Sequence, residues 1–339
     1  MAALLACALA LAATGCSQPP AVAQLDGATM GTTWSARMAD QPGLDRTAVR
    51  AALQAELDLV VGQMSTWEPD SEISRYNRAA AGSWQALPPA FAEVMTAALG
   101  LAEATGGAWD PTVGPLVQLW GFGAGAPRTT PPDAEAIAQA RARVGWRRLR
   151  FEPEGRGLLQ PGGIELDLSA IAEGYAVDRL GRRLERLGIG DYLVEIGGEV
   201  RARGVRPDGR PWRLALERPG GAGDDPGIGR IVELADHSAA TSGDYRAFFE
   251  HAGRRYGHAI DIATGWPVRH DLAAVTVLAP DCIDAGALAS ALSVLGPERG
   301  AAFARERDIA ALFLVRAGDG LVERPTPAFD RLTSGDGGN

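Results

Sequence analysis

The chain has 339 residues, 46% hydrophobic and 22% charged, enough apolar material for one large domain or two modest ones. Its net charge is −9, with Arg residues scattered among Glu and Asp. Nucleic-acid surfaces need clustered Lys and Arg, so this balance argues against one.

Met1–Ala13 is almost wholly apolar and too short to span a bilayer. It reads as the apolar core of a secretory signal. The Ala-Thr-Gly-Cys16 that follows looks like the cleavage box of a bacterial lipoprotein signal. That places a signal over residues 1–15, a lipidated Cys16 and a tether over 16–24. An ordinary cleaved secretory signal is the alternative, and either one implies export. Cys7 lies in the signal, which leaves Cys282 as a lone thiol without metal spacing. It reads as a small buried hydrophobe.

Leu25–Met38 reads as a strand carrying Thr29-Met30-Gly31-Thr32. Leu44–Met64 predicts an amphipathic helix, with Val49, Leu53, Leu57 and Val60 on one face and Asp45 near its start. Pro88–Thr105 predicts a second helix, closed by Gly106-Gly107. Pro131–Val144 predicts a third. Ile164–Leu168 reads as a strand leading to Ser169, a natural N-cap. Apolar spacing then predicts a helix through Ile171, Tyr175, Leu180, Leu184 and Leu187.

Strands are expected at Tyr192–Ile196, Arg213–Leu216, Ile231–Leu234, Val275–Ala279 and Ile309–Val315. Pro219–Gly229 reads as a loop. Ala285–Leu295 reads as a short helix ended by Gly296-Pro297. The tail 333–339 is polar and reads as disordered. No repeat, regular βαβ rhythm or linker appears. The expected fold class is therefore α+β: one compact domain over 25–332, with a mixed or antiparallel sheet and flanking helices.

Six windows carry polar or aromatic groups suited to chemistry. They are Met64–Asn77 (MSTWEPDSEISRYN), Ala108–Gly123 (AWDPTVGPLVQLWGFG), Ile164–Asp178 (IELDLSAIAEGYAVD), Val194–Gly204 (VEIGGEVRARG), Ala240–Arg246 (ATSGDYR) and Gly257–Pro267 (GHAIDIATGWP). Each also has a bland reading. Trp67 and Trp120 can fill a core, and His258 can be a satisfied structural histidine.

Together with the TMGT strand, these windows in this order resemble the ApbE family, the FAD:protein FMN transferases. The resemblance runs from about Leu25 to Phe329. It implies a T-fold-like domain that binds FAD, splits its pyrophosphate, passes FMN to a Thr or Ser hydroxyl through a phosphoester bond and releases AMP, with Mg²⁺ as metal. It implies FAD contacts at Met30, Trp67, Ala108, Trp109, Asp110, Asp167, Glu173 and Ile260. His258 matches a proposed general base, and Asp261 would orient it or sit near the metal. Thr241, Ser242 and Asp244 would lie near the phosphates. Implied partners are acceptor domains of respiratory electron-transfer complexes, reached from the periplasmic face of a bacterial membrane through a lipid anchor.

The metal motif departs from the family. The resemblance assigns one ligand to the Ala170 carbonyl and another to Ser290, which replaces Thr. Gly286 stands where the family has an Asp ligand. Asp284 lies two residues earlier, about 200° away on a helix, and reaches the site only if that helix starts later or bends. This departure keeps two alternatives open: an FAD-binding protein without transfer, and an Mg-dependent pyrophosphatase giving FMN and AMP.

Overall fold

Eight strands form the main sheet, and every neighbouring pair runs antiparallel. The computed structural model describes residues 22–220, 227–318 and 320–334. The sheet order is Val22–Thr29, Thr32–Ala39, Tyr192–Ile196, Glu199–Arg203, Ser238–Gly243, Leu272–Ala279, Ala310–Ala317 and Gly320–Pro325. The helices are Arg46–Met64 (α1), Glu72–Asn77 (α2), Pro89–Ala104 (α3), Gly114–Trp120 (α4), Ala134–Arg141 (α5), Ser169–Arg186 (α6), Cys282–Glu306 (α7) and Pro327–Thr333 (α8).

Helices α1, α6 and α7 pack on one another and cover one face of the sheet. A hairpin of Trp212–Arg218 with Gly227–Leu234 covers the other, together with α8. Leu272–Ala279 is therefore buried on both sides. Val275 and Val277 pack with Leu292 beneath α7, while Ala274 and Leu278 pack with Trp212 and Phe329 opposite. A strand buried on both faces reads as a continuous apolar run.

Two short turns shape the sheet edge near the helices. Thr29 pairs with Thr32 and Ile196 pairs with Glu199, so Met30-Gly31 and Gly197-Gly198 are two-residue loops. All four residues have positive φ, at 50°, 74°, 55° and 101°, as twist-matched tight hairpins require. The single strand expected over Leu25–Met38 is thus two strands joined at Met30-Gly31.

Local chemistry accounts for the helix boundaries. The Asp45 carboxylate accepts from Ala48 N at 3.0 Å and starts α1. Ile164–Leu168 is not a strand among the described residues. Asn77 stands in for a ladder partner instead: its Oδ1 accepts from Leu166 N at 2.8 Å and its Nδ2 donates to Leu166 O at 3.0 Å. Ser169 does not cap α6 but is its first residue; Asp167 Oδ1 accepts from Ser169 N at 2.9 Å. Leu187 lies past the end of α6 and is exposed.

The expected short helix Ala285–Leu295 is longer at both ends. Helix α7 begins at Cys282 because Asp178, on α6, accepts from Cys282 N and Ile283 N, both at 2.9 Å. Arg201 then bridges Asp178 and Asp281, with 2.6 Å to each. Beyond Leu295 the helix bends at Gly296, whose φ is 78°, and continues. Pro297 has no N–H for the carbonyl of Ser293. His270 supplies one, with Nε2 at 2.8 Å from Ser293 O.

Several boundaries differ from the sequence reading. Val22–Gln24 belongs to the first strand, not to a tether. The signal, Cys16 and residues up to 21 lie outside the described residues. Gly227–Gly229 opens a strand, and 221–226 lie outside the described residues. Thr333 closes α8, and 335–339 lie outside the described residues.

Gly27 shows how tightly the first hairpin packs. A Cβ there would lie 2.5 Å from Nε1 of Trp34, a fully buried ring whose Nε1 donates to Gln54 Oε1 at 2.9 Å. Gly27→Ala is expected to cost about 1–3 kcal/mol by overpacking, read as a lower urea midpoint at unchanged m-value.

Candidate active site

A cavity of ≈ 350 Å³ opens where the N-terminal end of α6, the Gly197-Gly198 turn and the first half of α7 meet. Six chain segments line it, within residues 108–122, 167–173, 197–199, 241–247, 258–262 and 286–294. Its size suits a small-molecule site.

Each wall has a local cause. Asp110 is buried. Its Oδ1 accepts from Thr112 N at 2.8 Å and Thr112 Oγ1 at 2.6 Å, and its Oδ2 accepts from Trp146 N at 3.0 Å. These bonds fix the Ala108–Asp110 turn, so the Asp110 carboxylate is occupied in shaping the wall. Asp167 donates its N–H to Pro111 O at 2.8 Å, which joins this wall to the start of α6. Trp120 backs the far side. It is fully buried, donates to Gly265 O at 2.8 Å and stacks on Tyr256 at 5.7 Å.

His258 faces the cavity with its Nδ1 3.3 Å from Ala247 O. A carbonyl can only accept, so Nδ1 carries the proton and Nε2 is left with its lone pair. Burial lowers the His258 pKa from its ordinary value, against smaller opposing effects of the Ala247 carbonyl and Asp244. That shift favours the neutral ring, the form a proton acceptor requires.

Two carboxylates, Glu173 and Glu199, line the same cavity. Burial pushes Glu173 up to about 7, with Arg246 opposing and Glu195 adding. Burial and then Glu173 push Glu199 well above the usual carboxylate range. The nearest cation is Arg246, which donates to Gly197 O at 2.8 Å and to Glu217 Oε2 at 2.9 Å. It makes no ion pair with Glu173 or Glu199 among the described residues.

The raised Glu173 pKa carries a stability consequence. A folded-state pKa near 7 against an unfolded value near 4.3 means the folded chain holds the proton longer. Stability is then greatest below the unfolded pKa and falls as pH rises towards about 7. Glu173→Gln is expected to remove on the order of 2 kcal/mol of that decline, measured as a flatter dependence of Tm on pH in metal-free protein.

Of the residues expected at the site, the cavity collects Ala108, Trp109, Asp110, Asp167, Ala170, Glu173, His258, Ile260 and Ser290, with Thr241 and Ser242. Five lie outside its lining. Met30 sits in the hairpin turn and packs against the main core. Trp67 is 62% exposed. Asp261 holds a turn, its Oδ1 accepting from Ala263 N at 3.0 Å and its Oδ2 from Thr264 Oγ1 at 3.1 Å. It therefore does not orient His258.

Asp284 is the fourth. Because α7 starts at Cys282, Asp284 is helical and faces Asp281 and Asp178 rather than the cavity. The helix neither starts later nor bends before Gly296, so Asp284 does not replace the missing ligand. Asp244 is also committed elsewhere, in a two-pronged pair with Arg316 at 2.8 Å for each bond. Sequence reasoning had assigned no role to Glu199 or Arg246, although both lie inside windows it had singled out.

Comparison with known proteins agrees with the architecture. The model of the ApbE family matches residues 30–313. A Vibrio cholerae protein named FAD:protein FMN transferase is 40% identical over 332 residues, covering 98% of each chain. A Klebsiella pneumoniae protein of the same name is 39% identical over 328 residues, covering 96% of this chain and 93% of that one. Among solved structures, the flavinyl transferase ApbE of Pseudomonas stutzeri in its apo form superposes with a TM-score of 0.84 at 41% identity, covering 93% of this chain and 97% of that one. The flavin transferase ApbE of Vibrio cholerae gives 0.85 at 39% identity, covering 93% of this chain and all of that one. With an antiparallel α+β fold and cavity of this kind, and likeness over nearly its whole length, the chain belongs to the ApbE family.

Proposed function

We propose that this chain transfers FMN from FAD to a Thr or Ser hydroxyl of an acceptor protein. The observation that carries the reading is a cavity-facing His258, its Nδ1 engaged by Ala247 O and its Nε2 left as the acceptor, in one cavity with oxygen donors of α6 and α7. In this scheme the acceptor hydroxyl oxygen attacks the FMN phosphorus and the bridging P–O bond breaks. AMP leaves, and the hydroxyl proton passes to His258 Nε2.

The other residues position and exclude. Asp167 Oδ1 holds the first turn of α6, whose N–H groups and dipole suit a pyrophosphate. Arg246 is fixed by Gly197 O and Glu217 and adds positive charge at the wall. Trp109 is buried and lines the cavity, where it walls off water.

The Ala170 carbonyl and the Ser290 hydroxyl, in a cavity that also holds two carboxylates, are hard oxygen donors that fit Mg²⁺. When bound, Mg²⁺ would neutralise pyrophosphate charge.

The apolar leader and Cys16 support an exported chain, lipid-anchored at the periplasmic face, and its acceptors would then be proteins exposed on that face. Labelled-palmitate incorporation, lost in Cys16→Ser, tests the anchor. Gly286 favours a second reading, in which FAD is held without transfer. Incubation with FAD, Mg²⁺ and an acceptor domain separates the outcomes. Covalent FMN on the acceptor by mass spectrometry supports transfer. Free FMN and AMP indicate hydrolysis, and unchanged FAD indicates a binding protein; either would overturn the transferase reading.

A further inference from the structure

Gly286 and Glu199 occupy one place from opposite sides. A Cβ built on Gly286 would lie 2.7 Å from Glu199 Oε1 and 2.9 Å from Oε2. The carboxylate of Glu199 therefore fills the space into which a side chain at 286 would project. A Cβ on Gly174 of α6 would meet the Cys282 carbonyl first, and Glu199 Oε2 as well, at 2.8 Å. Two glycines, one on each helix, leave room for this one carboxylate.

The Gly197-Gly198 turn brings Glu199 there. Its two positive-φ residues reverse the chain within two residues, so the next side chain points back between α6 and α7. Glu199 lines the same cavity as Ala170, Gly286 and Ser290. Gly286 and Ser290 are four residues apart on α7 and share its face.

Among the described residues, little else engages the carboxylate. Its one hydrogen bond among the described residues is from the Cys282 thiol, at 3.7 Å, a weak donor. It has no ion pair among the described residues, and Glu173 lies beside it as a second unpaired carboxylate. Carboxylates gathered away from bulk water without a cation are costly unless an ion joins them.

We infer that Glu199 supplies the carboxylate ligand of the divalent cation in this chain, together with the Ala170 carbonyl and the Ser290 hydroxyl of the same cavity, in place of a carboxylate at 286. The ligand has moved from helix α7 to the adjoining strand while the space it occupies is kept. This rests on the proposed metal-dependent function, and it removes the reason for reading the site as inactive.

The probe is Mn²⁺ alone, titrated by calorimetry and by the loss of free-ion EPR signal, with FAD present and no acceptor. Wild type is expected to bind it. Glu199→Gln, which keeps shape and removes charge, is expected to bind at least tenfold more weakly, with FAD affinity and far-UV circular dichroism unchanged. Asp284→Ala is expected to bind as wild type does. Glu199→Ala, which empties that space, is expected to lose affinity likewise, and the double variant Glu199→Ala/Gly286→Asp is expected to regain affinity over Glu199→Ala. Wild-type affinity in Glu199→Gln, or loss in Asp284→Ala, would overturn the assignment and leave the functional reading standing. No Mn²⁺ binding by wild type would overturn both. If Glu199→Gln does not fold, Glu199→Asp takes its place: it keeps the charge but draws it back by one methylene, and unchanged affinity there would count against the assignment.

Discussion

His258→Asn is expected to lower FMN transfer by about 10²–10⁴-fold, the usual contribution of a positioned general base, while FAD affinity stays within about twofold. The side-chain amide of Asn can still donate to Ala247 O, as Nδ1 of His258 does at 3.3 Å. What disappears is Nε2, the atom that would take the acceptor's proton. Single-turnover transfer measured beside an FAD titration separates the two effects. Loss of FAD affinity equal to the loss of rate would mean that His258 binds rather than accepts a proton. The pH profile provides a second check. Burial lowers the His258 pKa, so the imidazole stays neutral to lower pH than a free histidine. The acid limb of the wild-type transfer rate should then fall below pH 6.5, and it should be absent from the residual rate of His258→Asn.

Asp178→Ala is expected to be the most damaging single change to stability. Asp178 is completely buried and accepts from two helix N–H groups and from Arg201. Removing one partner of a buried charged network costs about 3–5 kcal/mol. Arg201 keeps Asp281 at 2.6 Å, which places the loss near the lower figure, about 3 kcal/mol. That corresponds to a Tm lower by roughly 6–12 °C, read by calorimetry at pH 7. Asp178→Asn retains one acceptor oxygen and should lose about half as much. Because the same carboxylate sets where α7 begins, Asp178→Ala should also weaken Mn²⁺ binding at Ser290, about 12 Å of helix downstream by the usual rise of about 1.5 Å per residue. A Tm within about 2 °C of wild type would show that α7 is held mainly by its apolar face.

The helices were legible where one pattern sufficed. Val49, Leu53, Leu57 and Val60 recur at helical spacing and are all buried in α1. Strands buried on both faces were also legible, as the apolar run ending at Ala279 shows. The Met30 turn was not, because Met does not announce positive φ. Nor was the start of α7, since its cap comes from Asp178, more than a hundred residues earlier. Local rules for helix ends see only neighbours in sequence.

The site divides in the same way. His258 and Asp167 fell in windows whose residue types and order were sufficient, and Ser290 followed from counting along its motif. Glu199 also lay in such a window, but its role was not legible, because its meaning depends on a vacancy at 286. The counting that found Gly286 looked for a substitute along the same helix, two residues away. The substitute lies across a packed interface, on a strand more than eighty residues earlier. Space is conserved there, and sequence position is not.

The cavity's six walls are drawn from residue 108 to residue 294, and this orders the birth of the protein. A chain leaving the ribosome has no complete pocket until α7 has followed, some hundred and eighty residues after the first wall. FAD and metal therefore have nothing whole to grip on a partial chain, and they stabilise only what they bind. Flavin cannot serve as an early template for folding; it rewards a fold that is already finished. A chain truncated before α7 should accordingly be blind to flavin, however much of its sheet survives.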